Sequence, residues 1–143
     1  MLVSTLICIA ILGCQSMPNS PFSRSVEYHW SVTLNSVLWF NMMPALGDTP
    51  ELRLHGALTL INIDGFSAAM EIIEVELHQN GEKYRIGAEQ YELRAHSQNQ
   101  WEVVFNLPIP LDDRRPVDVL VKVSEQGKTF WVVEEDVGID VVY

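Results

Sequence analysis

An all-β fold, an antiparallel sandwich of about seven to nine strands, is what this sequence predicts. Three observations carry that prediction. Apolar and polar residues alternate with a period of two through most of the chain after residue 26. Valine and isoleucine dominate those runs, and all seven prolines stand between them.

The elements follow in order. Val26, Tyr28, Trp30, Val32 and Leu34 alternate with Glu27, His29, Ser31, Thr33 and Asn35, the pattern of a strand with one buried face. Leu52, Leu54, Leu58 and Leu60 repeat it, with Gly56 marking a bulge or a close backbone approach. Ile73, Val75 and Leu77 alternate with Glu74, Glu76 and His78. Asn80-Gly81 then leads into Glu82-Lys83-Tyr84-Arg85. Asn-Gly between two extended runs is a hairpin signal, because both residues tolerate positive φ. Further strands run from Tyr91 to Ala95, through Trp101, Val103, Phe105 and Leu107, and through Val117, Val119, Val121 and Val123. A turn at Gln126-Gly127 leads to Thr129 through Val133, and a run from Val137 to Tyr143 follows. One stretch has a competing reading. Phe66, Met70, Ile73 and Leu77 fit one face of a helix, and Ala68-Ala69-Met70-Glu71 favour it, so a helical turn at 66–70 or a helix reaching His78 is the alternative.

The first residues stand apart from this pattern. MLVSTLICIAILG carries no charge and is almost unbroken in apolar character from Leu6 to Leu12. A bilayer span needs about 20 apolar residues. This run has instead the length of a signal-peptide apolar core. It ends at Ile11-Leu12-Gly13-Cys14, which resembles the lipobox of bacterial lipoproteins. That resemblance implies cleavage before Cys14, a diacylglycerol on its thiol, and acylation of the new amino group. It divides the chain into a signal peptide at 1–13, a lipidated tether at 14–25 and the β-domain at 26–143. An ordinary secretory signal that happens to end in Gly-Cys is the alternative. Gln15 stands where an aspartate tends to retain such proteins in the inner membrane, so the resemblance implies the periplasmic face of the outer membrane.

Composition narrows the functions. The only cysteines are Cys8 and Cys14, so the β-domain has no internal disulfide to lean on and must stand on its core. Nineteen acids against nine bases give a formal net charge of −10, with no basic stripe. Nucleic-acid phosphates and anionic headgroups repel such a surface, so membrane attachment would come from the N-terminal lipid alone.

No constellation specifies a reaction. His29, His55, His78 and His96 fall on polar faces without metal-ligand spacing, and read as solvated surface histidines. No Gly-x-Ser-x-Gly elbow is present. Asp112-Asp113 and Glu134-Glu135-Asp136 read as solvated turns that discourage sheet aggregation, with Arg114-Arg115 offsetting the first pair. No catalytic residue, metal ligand or cofactor is therefore expected. Trp30 and Trp101 fall on apolar faces and read as core. Val37-Leu38-Trp39-Phe40 and Phe130-Trp131-Val132-Val133 are apolar on both faces, which places them centrally or against a partner; Trp39 and Trp131 read as core, with an exposed ring that anchors a protein or a sugar as the alternative.

The expectation is a non-enzymatic, lipid-anchored envelope protein that serves as a protein-interaction or assembly module. Its architecture is similar to immunoglobulin-like and fibronectin-type sandwiches, without the paired cysteines of antibody domains. Trp131 with Glu134, Glu135 and Asp136 is the expected contact for a basic protein partner at an edge strand. The alternative is a small-ligand or glycan-binding module using exposed aromatics.

Overall fold

A computed structural model describes residues 31–43, 47 and 51–143. Cys14, the leader, the tether and the first residues of the expected opening strand lie outside the described residues.

The described chain is all-β. Its nine strands are β1 (Val32–Asn41), β2 (Leu54–Asn62), β3 (Met70–Gln79), β4 (Glu82–Gly87), β5 (Tyr91–Ala95), β6 (Gln100–Leu107), β7 (Val117–Glu125), β8 (Lys128–Val137) and β9 (Ile139–Val142). They form two sheets. Sheet A has the order β5-β6-β2-β1-β9 and sheet B the order β4-β3-β7-β8. Every pairing is antiparallel except β1 with β9, where Leu38 lies beside Ile139 and Phe40 beside Val141. Gly138 sits where the chain leaves β8 in sheet B and enters β9 in sheet A.

The period of two explains the core. Leu38 and Phe40 on β1, Leu54, Leu58 and Leu60 on β2, and Val103 and Phe105 on β6 turn inward from sheet A. Val75 and Leu77 on β3, Ile86 on β4, Val117, Val119, Val121 and Val123 on β7, and Phe130 and Val132 on β8 meet them from sheet B. One hydrophobic cluster joins both sheets. Tyr91 ties them with a polar contact, its phenol donating to the Ile72 carbonyl across the sandwich at 2.9 Å. Burial, then the nearby Glu89 charge, raises the Tyr91 pKa above its ordinary value.

Two hairpins owe their shape to their turn residues. Asn80 and Gly81 have φ of 52° and 80°, and Gln126 and Gly127 have 49° and 79°. Consecutive positive φ values match the right-handed twist of the flanking strands, and asparagine and glycine reach them at little cost. Gly56 proves to be a close approach with no shift of register. The ring of Phe105, its partner across β2 and β6, lies where a Gly56 side chain would be.

The strand reading holds over the helical alternative, and two inward positions change. Residues 66–78 contain no helix: Ala68 and Ala69 form a turn, the Met70 amide donates to the Ser67 carbonyl at 3.1 Å, and β3 begins at Met70. Pairing with β7 takes up the chain from Met70 onward and buries Met70 and Ile72. Ile73, expected inside, is 39% exposed, because the register against β7 shifts between Ile72 and Glu74 and turns Ile72 inward in its place. Leu52 is exposed ahead of β2, where no sheet pairing holds it over the core.

Candidate functional site

The two outward faces of the sandwich differ in chemistry, and that difference locates the candidate site. The middle of sheet B's outer face carries paired charges. Glu76, only 4% exposed, lies between Arg85 on β4 and Leu120 on β7. One carboxylate oxygen sits 2.7 Å from His78 Nε2, and the other accepts from Arg85 Nε at 3.1 Å. Burial pushes the Glu76 carboxyl up. The hydrogen bonds from His78 and Arg85, with the fields of His78 and Lys83, outweigh that effect and hold it below its ordinary value. Leu120 is buried on this face too. Farther along, Lys122 reaches Glu74 at 3.5 Å and stands 5.4 Å above the Trp131 ring. These charges are spent on one another.

Sheet A's outer face is apolar in its middle. Residues 33, 35, 37, 39 and 41 of β1 point away from the core, because 32, 36, 38 and 40 are buried. Val37 is 49% exposed and sits in a row with Ala57 on β2 and Val104 on β6. Trp39 forms the next row with His55 and Asn106 on one side and Asp140 on the other. The Trp39 and His55 rings stack with centroids 5.3 Å apart and planes 13° from parallel. Carboxylates ring this strip. Glu92 and Glu102 share Arg94, at 2.9 and 3.9 Å, and Glu51 holds Arg53 at 3.1 Å. Asp140 is exposed beside Trp39 and makes no ion pair among the described residues.

The residues expected at a partner contact are placed differently from one another. Trp131 is half-buried on the outer face of sheet B, and Glu135 shares that side of β8. Glu134 lies opposite Val119 and turns toward the core side, and its Oε2 is buried without a hydrogen-bond partner among the described residues. Asp136 has φ of 57° at the irregularity that interrupts the β7–β8 ladder before Val117 meets Val137, and its amide donates to Asp118 Oδ1 at 3.0 Å. The chain thus brings Trp131 and Glu135 to one face and sends Glu134 to the other. A run of three acids is contiguous in sequence, and strand alternation separates it.

The other candidates resolve individually. His96 is exposed and sits 3.1 Å from Glu102, while His55 stacks on Trp39. His78 departs from the expected solvated histidine, since Glu76 and the hairpin leave its side chain 16% exposed. Asp112 is offset by Arg114 and Arg115 as expected, at 3.7 and 3.5 Å. Trp101 is half-buried, stacked on Phe66 with centroids 4.4 Å apart. A shallow hollow of about 220 Å³ lies over the β3–β4 turn, lined by His78, Lys83, Glu82 and Asp118. No hydroxyl or thiol nucleophile lines it.

Sequence reasoning missed the Trp39–His55 pair. Its one legible trace was the doubly apolar run Val37–Phe40; nothing in the sequence places His55 opposite Trp39. Among the described residues no group of three or more potential ligands could hold a metal ion, and no helix is long and apolar enough to cross a membrane. No known protein family matches the chain, and neither does any curated protein.

Proposed function

We propose that this chain is a lipid-anchored bacterial envelope protein, non-catalytic, whose β-sandwich docks another protein on the outer face of sheet A. The observation that carries the reading is the contrast between the two faces. Val37, Ala57, Val104 and Trp39 form an apolar strip on sheet A, whereas the middle of sheet B's outer face carries charges paired with one another, Glu76 with His78 and Arg85 and Glu74 with Lys122. Apolar side chains on an outward sheet face gain about 25 cal/mol per Å² when a partner covers them.

A protein fits this strip better than a sugar. Glycan platforms are commonly built on aromatic rings, and among the described residues Trp39 is the one tryptophan on this strip, with His55 stacked on one of its faces. Aliphatic side chains fill the neighbouring row, and these pack against protein side chains. The lipid anchor rests on Gly13-Cys14 after the apolar leader. The expected contact at Trp131 and Glu135 keeps a place as a second, smaller contact on β8, because both share one side of that strand.

Two measurements test the reading. Cys14→Ser should leave an unprocessed precursor without added lipid mass, and a mature terminus elsewhere refutes the anchor. A photo-reactive residue in place of Val37 should give protein adducts in intact cells, while one in place of Lys83, on sheet B, should not.

A further inference from the structure

We infer that the partner covering sheet A's outer face is a basic protein surface, one that sets lysines or arginines against the rim around Trp39. The inference rests on the docking reading above and names the chemistry of the occupant. It follows from charge on and around the strip. Four carboxylates, Glu51, Glu92, Glu102 and Asp140, border the strip against two guanidiniums, Arg53 and Arg94. Both guanidiniums are already engaged: Arg53 also donates to the Asn106 carbonyl at 2.6 Å, and Arg94 is shared by two glutamates. Asp140 has no cation beside it among the described residues, although it adjoins the most aromatic point of the face.

A covering surface drives water from the strip and lowers the screening around its rim, so an unpaired carboxylate there becomes costly unless the partner supplies a cation. Another copy of this chain is a poor source of one. Each copy carries a formal charge of −10, and two sheet A faces brought together would set acidic rim against acidic rim. The same charge disfavours anionic polymers. A basic protein with a flat apolar centre meets both requirements: it covers Val37 and Trp39 and neutralises Asp140 and Glu102.

The test uses the full-length lipoprotein in intact cells, with benzoylphenylalanine in place of Val37 as the probe. Irradiation should yield an adduct with a different protein, and its cross-linked peptide should carry lysine or arginine beside apolar residues. Combining the probe with Asp140→Lys and Glu102→Lys should lower the adduct yield by about thirtyfold, since two exposed attractions are turned into two repulsions of similar size. Asp140→Asn alone should lower it less. Dependence on charge separates the two levels of the argument. Adducts that form equally well with both reversals overturn the basic partner and leave the docking face standing. Adducts between copies of this chain, or with a peptide lacking basic residues, also overturn it. No adduct at position 37, where the wild-type protein is present and processed, refutes the docking face itself.

Discussion

Gly56→Ala offers the sharpest check on the packing that holds sheet A together. A Cβ placed on Gly56 would sit 2.1 Å from Phe105 Cζ and 2.4 Å from its Cε1. Carbon atoms in good contact stand about 3.5–4.0 Å apart, so the ring would have to retreat by more than an ångström. Phe105 is 3% exposed, and fully buried Leu54 and Leu58 flank Gly56 on its own strand. Overpacking of this kind costs about 1–3 kcal/mol, from which the lower backbone entropy of alanine recovers about 0.5–1 kcal/mol. The net expectation is a loss of about 1–2 kcal/mol. Phe105→Leu shortens the ring away from the same space and loses about 1–2 kcal/mol of buried apolar area on its own. Once Phe105 is leucine, Gly56→Ala should cost nothing or stabilise slightly, so the two substitutions together should be better than their sum by about 1–2 kcal/mol. Urea unfolding of the four proteins, with midpoints compared at constant m-value, measures this coupling. Additivity within about 0.5 kcal/mol would falsify the claim that the ring occupies the glycine's vacant side-chain position.

Other expectations follow from the polar groups. Ser36 faces the core opposite Leu58, and its hydroxyl has no hydrogen-bond partner among the described residues; Ser36→Ala should raise the urea midpoint by about 1 kcal/mol of stability, and a drop would show that the hydroxyl is satisfied. Glu76 has a folded pKa below its ordinary value of 4.5, so its contribution is present above that value and disappears as pH falls through the folded pKa. Glu76→Gln should lower stability at neutral pH by about 1–3 kcal/mol and flatten the acid limb of the stability profile, and an unchanged acid limb would count against the His78–Glu76–Arg85 arrangement.

How much of this was legible in the sequence depends on the range of the forces involved. Alternation is local, so the strands from Leu54 to Leu60 and from Trp101 to Leu107 could be read directly, and so could the turn at Asn80-Gly81. The bulge at Ile72–Glu74 could not. It arises from pairing with β7, about fifty residues away, and it exchanges Ile73 for Ile72 at the core. Ala68 and Ala69 left a helical alternative open for the same reason, and it loses because their propensity is small beside the burial gained when β3 starts at Met70. For the site, the doubly apolar run around Trp39 announced an unusual strand. Which of its faces would be open depends on β1 lying between β2 and β9, a pairing no local pattern encodes. Glu134 shows the converse, an acid whose sequence neighbours promise solvent and whose strand parity turns it inward.

The parallel seam between β1 and β9 also fixes the order in which the domain can assemble. Leu38 and its partner Ile139 are about a hundred residues apart, and closing a loop of that length costs about 4 kcal/mol of chain entropy before any contact repays it. The hairpins β3–β4, β5–β6 and β7–β8 close over a few residues each and can form early. The seam forms late, and until it does the backbone groups of β1 on that side stay open to any other extended chain. Pulsed hydrogen exchange during refolding should record it as late protection of the β1 amides that face β9; early protection there would place the seam in the folding nucleus instead. The last strand to dock therefore guards the edge of the strand that carries Trp39, and a nascent or truncated chain lacking it presents an unguarded edge to its neighbours.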